Sequence, residues 1–484
     1  MWETLGQMTV EDGGSHFSVF SEEETIQCIF FQTSQMKRYL EAFPDVLYID
    51  STYCLNSFGY PVVVFMVVDG DNRGHCVGYA LVRDERMVTF ATLYTEFVRK
   101  NNVNTKTVVL DKDAAEIGAV RFAMEGVNLV LCRFHVCKSL SESIKKFVRK
   151  EHREEVKKLI NMMVYSGSQA AFEDAYAQLS GEMKTFFDSN WLPVKQHWAQ
   201  CDLQHIVTWG TMTNNFVDRH NRGLKTVGNS KMTMSTFIKS LLKFHSADEV
   251  SMRRRIIEMS ARSKVLRPKH DGAQFLTQAS KTLTHFACDL LKKQWDILKK
   301  KTVFLCPDAD VLYVLRNERE AAEYSFPDGK CDCTYFLNRG LPCWHMMGYW
   351  CEKGQDIMSY VFPDRYKKDK LLECLSGDIA PVPSMCGTVN VVSQSGTKTT
   401  AEKASILKNV CRELVAVGSE CSQDVFEERY HFLKSVVHAW RSNESAPAII
   451  EDHLQFADQM VWTLDNVPTS PPYNPHLFTL KYPL

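Results

Sequence analysis

No stretch of the 484 residues is long and apolar enough to cross a bilayer. The longest hydrophobic run, YPVVVFMVV at 60–68, falls well short of the roughly 20 residues that a spanning helix needs and reads instead as a buried strand. The opening MWETLGQMTVEDGG has neither a basic stretch nor an apolar core behind it, so no secretory signal is expected. Net charge is nearly absent as well. The 57 Lys+Arg against 58 Asp+Glu leave −1, which argues against a wholesale polyanion binder while leaving local patches open. No internal repeat is visible, which sets repeat architectures aside. What the chain does have is core-forming material, with 45% hydrophobic and 24% charged residues, so most of it is expected to fold. Its length exceeds what one core supports and suggests roughly two to four domains. Sixteen cysteines scattered through a chain with no export signal point to a reducing compartment. Most are then small core residues and a minority are metal ligands.

The residue pattern divides the chain into an N-terminal cap (1–40), a large α/β domain with a helical insertion (41–300), a zinc finger (301–352), a linker (353–400) and a helical C-terminal region with an irregular tail (401–484). In the cap, one helix is expected around EEETIQCIFFQTSQMKRYLEAF. DVLYIDSTYCL, YPVVVFMVVDG and GHCVGYALVRD are rich in Val, Tyr and Ile and separated by NSFG and DNRG turns, which predicts an antiparallel meander. A helix at 86–102, a strand at 105–113, a helix at 114–124 and a strand at 128–135 follow. Three strands, helix, strand, helix, strand is the order of the ribonuclease-H-like fold, a mixed sheet in the α/β class. From 138 to 300 the pattern is helical, with SESIKKFVRKEHREEVKKLINMMV and QAAFEDAYAQLSGEMKTFFDSNW as amphipathic segments. Charge is concentrated here: from Arg219 to Lys301 there are 19 Lys/Arg and 6 Asp/Glu, a surplus of 19 − 6 = 13. Each cluster alone reads as a solvated helix face, whereas the sum reads as a surface facing a polyanion. Residues 376–400 are rich in Ser, Thr, Gly and Pro, as linkers are.

Four constellations can carry chemistry. In CDCTYFLNRGLPCWH the spacing is Cys331-x-Cys333-x9-Cys343-x-His345. Thiolate and imidazole are the ligands that Zn2+ prefers, and four of them close a tetrahedral shell with no position for substrate. The zinc is then structural, and its binding energy is folding energy. In the sheet, Asp50 lies in the first meander strand and Asp111 ends a later one. Paired carboxylates at strand ends are hard ligands suited to Mg2+, and two such ions can clamp an in-line phosphoryl displacement. The alternative for each is a turn or helix cap, and Asp113 would cap the following helix equally well. Cys132-x-x-His135 supplies two ligands, with Cys137 as a third only on paper, so a structural role competes with metal binding. Finally, Thr213, Asn214, Asn215, Asp218 and Asn221 gather where a helix should start, either as caps and a solvated face or as part of a site.

The Cys-x-Cys…Cys-x-His pattern with its GLPCWH ending resembles the SWIM zinc finger. The order Asp-Ser-Thr-Tyr, strand-end Asp, CxxH, helical insertion, Asn-x-x-Asp-x-x-Asn-x-x-Leu-Lys and SWIM looks like the Mutator-like transposase domain. It is similar to the transposase-derived plant far-red-response transcription factors and to the vertebrate zinc finger SWIM domain-containing proteins. That resemblance implies an integrase-like fold with an Asp, Asp, Glu catalytic set. Asp50 and Asp111 match the first two positions, and Asp218 stands where the family's glutamate aligns. No Cys/His-rich module of the kind that lets relatives recognise DNA ends precedes Asp50. The expectation is a domesticated nuclear protein that binds DNA or nuclear proteins through the zinc module and the basic helices. Neither membrane nor small-molecule substrate is expected. The rival expectation is a Mg2+-dependent nuclease or strand-transfer enzyme using Asp50, Asp111 and Asp218.

Overall fold

The computed structural model describes residues 2–375 apart from 23–24, 102–103, 263–272, 302, 307–310, 316–320 and 327–329, together with residues 427, 430, 431 and 434. Contacts divide the chain into two units, Met1–Pro383 and Ser384–Leu484, and the sheets, the strand-end residues and the zinc module all belong to the first. The linker expected at 376–400 and the helical region expected from 401 lie outside the described residues.

The N-terminus departs from the single helix expected of it. After α1 (Trp2–Glu11), strands β1 (His16–Glu22) and β2 (Thr25–Gln32) form an antiparallel hairpin, and only then does α2 (Ser34–Ala42) begin. A run as short as TIQCIFFQ is ambiguous between helix and strand by periodicity alone. Tertiary pairing decides it: Cys28–Phe31 pair with Val82–Tyr79 at the edge of the meander, and all of Cys28–Gln32 become buried. The helix starts where Thr33 can cap it, its hydroxyl accepting from Met36 N at 3.2 Å. Residues 16–32 are therefore part of the sheet and not of a separate cap.

The meander forms as expected from β3 (Val46–Thr52), β4 (Val62–Val68) and β5 (Gly74–Val82). Helix α3 (Met87–Lys100) then crosses back so that β6 (Thr107–Leu110) lies parallel to β3, and α4 (Ala114–Ala123) does the same for β7 (Asn128–Leu131) beside β6. The seven-stranded order is β1-β2-β5-β4-β3-β6-β7. It is the ribonuclease-H-like mixed sheet with a hairpin added on one edge. Strand β4, VVVFMVV, is buried at every residue because both faces are covered. Val63, Phe65 and Val67 join Phe90, Tyr94 and Phe97 of α3 in one core. Val62, Val64 and Met66 join Val217, Leu224, Phe237 and Leu241 in the other.

The insertion comprises α5 (Arg133–Phe147), α6 (Arg153–Tyr165), α7 (Gln169–Ala177) and α8 (Gly181–Asn190), then α9 (Asn215–Val227), α10 (Met234–Ala261), α11 (Gln274–Thr282) and α12 (His285–Leu298). The amphipathic segment from 141 to 164 breaks after Phe147, where Val148 turns extended. A small antiparallel sheet, β8 (Val303–Cys306), β9 (Val311–Leu315) and β10 (Ala321–Ser325), leads into α13 (Thr334–Arg339) and α14 (Trp344–Glu352). Residues 353–375, expected to start the linker, are folded and end in α15 (Lys368–Glu373). Phe362, Tyr366 and Leu371 give this strap its buried anchors. Arg365 Nη2 donates to Val68 O at 2.9 Å, and Gln35 Nε2 donates to Cys374 O at 2.9 Å. The β4–β5 turn meets the strap so closely that a Cβ on Gly70 would lie 1.6 Å from Arg365 O, which only glycine permits.

Candidate functional site

Strand register sets out the site. Tyr48 pairs with Val109, so continuing two residues brings Asp50 beside Asp111. Leu110 pairs with Leu131, so the next residues, Asp111 and Cys132, are neighbours as well. Three chemistry-bearing residues thus line up at the carboxyl ends of adjacent parallel strands, where α/β sheets commonly place their sites. Asp113, not Asp111, caps α4, its Oδ1 accepting from Glu116 N at 2.9 Å, which leaves the Asp111 carboxylate free for other partners. His135, in the first turn of α5, puts Nδ1 2.6 Å from Asp111 Oδ1. Its contacts with Asp111 and then Cys132 push the imidazole up to about 10.

Helix α9 closes the site from above. Asn214 N donates to Cys132 Sγ at 3.2 Å, Asn214 Nδ2 donates to Ile49 O at 3.2 Å, and Asn221 Nδ2 donates to Asp50 Oδ2 at 2.7 Å. Both asparagines are buried, so they are site residues and not a solvated face, while Asn215 is exposed. Asp218, half-buried in the first turn of the same helix, adds its charge to the field at Asp50. Burial, then Asp111, then Asp218 push the Asp50 carboxyl up to about 7.

One further residue was not singled out from the sequence. Glu116 of α4 is buried, accepts from Ser51 Oγ at 3.4 Å, and is pushed up to about 8 by burial and then by Asp50. Its position three residues after a capping aspartate disguises it as an ordinary first-turn acid. Only the strand-to-helix packing brings it against Ser51 and into the field of Asp50.

The second centre is the cysteine cluster. Cys331, Cys333, Cys343 and His345 bring one ligand atom each to within 4.8 Å of all the others, with Cys331 Sγ 3.7 Å from His345 Nδ1. A tetrahedral zinc shell needs ligands about 3.3–3.8 Å apart, so the donor set fits the ion in chemistry and in spacing. The two ligand pairs sit at the starts of α13 and α14, and Gly340 provides the left-handed turn (φ 60°) between them. The His345 ring is held between Trp344 and Tyr324, with centroids at 3.8 and 3.9 Å. Hydrogen bonds from Cys331 and Cys343 hold the Cys333 thiol far below its usual range, whereas burial drives Cys343 far above it.

Among the described residues a second group has ligand atoms mutually within 4.8 Å: Asp111, Cys132 and His135. Asp50 and Asp218 belong to neither group. Cys137 is not the third ligand of the CxxH pair, because its sulfur lies 3.5 Å from Tyr165 Oη.

Fold and site together define a ribonuclease-H-like core with carboxylates at its strand ends and a fused SWIM-type Cys3His module. Residues 7–129 match the family model described as the RNaseH-like domain of zinc finger SWIM domain-containing protein 1/3. Over 338 residues the chain is 21% identical to the Arabidopsis thaliana protein named FAR1-RELATED SEQUENCE 10, covering 67% of this chain and 48% of that one. Over 223 residues it is 21% identical to FAR-RED IMPAIRED RESPONSE 1 of the same plant, covering 45% and 27%. Residues 7–129 are thus similar to the ribonuclease-H-like domain of the zinc finger SWIM domain-containing proteins. It spans about half or less of the length of the curated relatives it matches. No described helix is long and apolar enough to cross a membrane.

Proposed function

We propose that the chain is a domesticated, zinc-binding nuclear protein that acts by binding DNA or protein partners and does not carry out transposition. The observation that carries this reading is the state of the carboxylates. Asp111 is held by His135 at 2.6 Å, Asp50 by Asn221 at 2.7 Å, and the third position is an aspartate. Exchanging the glutamate of the resembled set for aspartate withdraws the oxygens by about 1 Å, a misplacement that costs on the order of a hundredfold in rate. Zinc at Cys331, Cys333, Cys343 and His345 would have a purely structural role, since the shell is closed.

A nucleic-acid partner is favoured by α9 itself. Arg219, Arg222 and Lys225 are exposed or half-exposed along the helix beside Asp218, and Lys239 and Lys243 lie on α10 in the same condition. Titrating the protein into labelled duplex DNA over a salt series tests this. The logarithm of affinity should fall linearly with log salt, by about 0.9 per phosphate neutralised. Replacing Arg219, Arg222 and Lys225 with alanine should flatten that slope by about 2–3. Binding that ignores salt, or no binding at all, would move the reading to protein partners alone.

A specific observation supports the rival reading, a Mg2+-dependent nuclease or strand-transfer enzyme using Asp50, Asp111 and Asp218. The Asp50 carboxyl sits in a field of like charges, and the buried Oδ1 atoms of Asn214 and Asn221 have no donor among the described residues. A divalent cation would relieve both. DNA cleavage in Mg2+ or Mn2+ that disappears in Asp50→Ala and Asp111→Ala would establish this alternative.

A further inference from the structure

The residues that disable one metal site build another. Asp111 ends β6, Cys132 follows β7 in the neighbouring register, and His135 stands one helical turn beyond Cys132. Carboxylate oxygen, thiol sulfur and imidazole nitrogen are brought together by a single parallel strand pair, with all three ligand atoms within 4.8 Å.

Three features distinguish this group from a chance cluster. First, His135 Nδ1 is a buried atom that lies 2.6 Å from Asp111 Oδ1, so the nitrogen and the carboxylate are already side by side. Second, Cys132 is fully buried, and its sulfur accepts the Asn214 amide N–H at 3.2 Å, a donor that stabilises a thiolate and fixes where it points. Third, the group opens onto a groove lined by Lys112, Ser139, Glu142 and Asn190, which leaves an approach to a fourth position.

We propose that Asp111, Cys132 and His135 form a second, three-ligand site for a borderline-soft divalent transition metal, Zn2+ foremost, with its fourth position open to the groove. The choice follows from the donors. Thiolate and imidazole select zinc over magnesium, and three protein ligands with one open position is the arrangement of reactive zinc sites, in contrast to the closed Cys3His shell. To admit the ion, His135 Nδ1 and Asp111 Oδ1 must part by less than about 1 Å, a side-chain adjustment. The site also gives Asp111 an occupant other than Mg2+. It stands whether or not the protein binds DNA.

The test is metal stoichiometry on the purified full chain after dialysis against zinc-free buffer. The proposal expects about two zinc ions per chain, about one in His135→Gln, and about one in Cys343→Ser, which empties the other centre. Co2+ substitution separates the two sites. His135→Gln should remove the weaker, one-thiolate charge-transfer band and keep the three-thiolate one. Should His135→Gln lose its fold by circular dichroism, Asp111→Asn tests the same stoichiometry. About one zinc in the unsubstituted chain would overturn the proposal, as would about two that persist in His135→Gln or Asp111→Asn.

Discussion

Glu116 keeps its proton at neutral pH because ionising it would place a charge in a buried pocket beside Asp50 and Asp113. Its folded pKa of about 8 lies above the ordinary 4.5, so the native state holds a proton that the unfolded chain has released across that interval. Stability is therefore highest below pH 4.5 as far as this group is concerned. It declines as pH rises towards 8 and stays reduced above that. Glu116→Gln retains a polar partner for Ser51 and removes the decline. Thermal unfolding should show the variant more stable than the parent at pH 9, by up to a few kcal/mol, with the two converging near pH 5. Equal midpoints at pH 9 would mean that Glu116 is hydrated in solution. Asp50, at about 7, is about half protonated at neutral pH. The two together mean that the strand ends carry less negative charge than their composition suggests.

At the scale of elements, α9 and α10 bury two histidines against the sheet. His220 Nε2 lies 2.7 Å from Tyr79 Oη, and His245 has no hydrogen-bond partner for either ring nitrogen among the described residues. Burial depresses His220 to about 4 and His245 to about 3. A depressed imidazole contributes stability that is fully present above pH 6.5, the unfolded value. That stability is lost as pH falls towards the folded one, because only the unfolded chain takes up the proton. The protein should lose stability below pH 6.5, and His245→Leu should flatten that acid limb by about 2–3 kcal/mol at pH 4.5. Unfolding midpoints measured from pH 4.5 to 7.5 in both proteins check this. An acid limb unchanged in His245→Leu would place its origin elsewhere.

The same elements show what the sequence could convey. Strands β3, β4 and β5 were legible because a run such as VVVFMVV is too short for a core helix and is flanked by turn residues. The Cys3His cluster was legible because spacing within one short loop is itself geometry. The hairpin of β1 and β2 was not, since TIQCIFFQ becomes a strand only through the edge it pairs with. Neither was the partnership of Asp111 with His135, 24 residues apart (135 − 111), because it depends on the parallel register of β6 and β7. The two asparagines of α9 looked like helix-start polar residues until the packing turned them inward onto Asp50 and Cys132.

At the scale of the molecule, the zinc module is tied to the sheet domain by directed contacts and not by a flexible join. Thr208 Oγ1 donates to Asn338 Oδ1 at 3.1 Å, Asn338 Nδ2 donates to Gln204 O at 3.3 Å, and Arg339 Nη1 donates to Trp209 O at 3.2 Å. All three involve α13, which starts at Cys333 of the Cys3His cluster. Removing zinc with a chelator, or by Cys343→Ser, should therefore loosen residues 204–210 as well as the finger. Hydrogen exchange should read faster amide exchange in both segments, with β3–β5 unchanged. Loosening confined to 331–352 would show that the loop is supported by other contacts.

The folded strap at 353–375 sets how freely the finger can reach. A module on a tether searches a volume, and its grip on a partner is diluted by that search. Here the strap runs from the finger back to the sheet and is fastened at Val68 and Gln35, with Gly70 seated against Arg365. The finger thus has almost no swing. Under the proposed function, a partner gripped by the finger would be presented to the strand ends at one bearing and one distance, as a jig presents a workpiece.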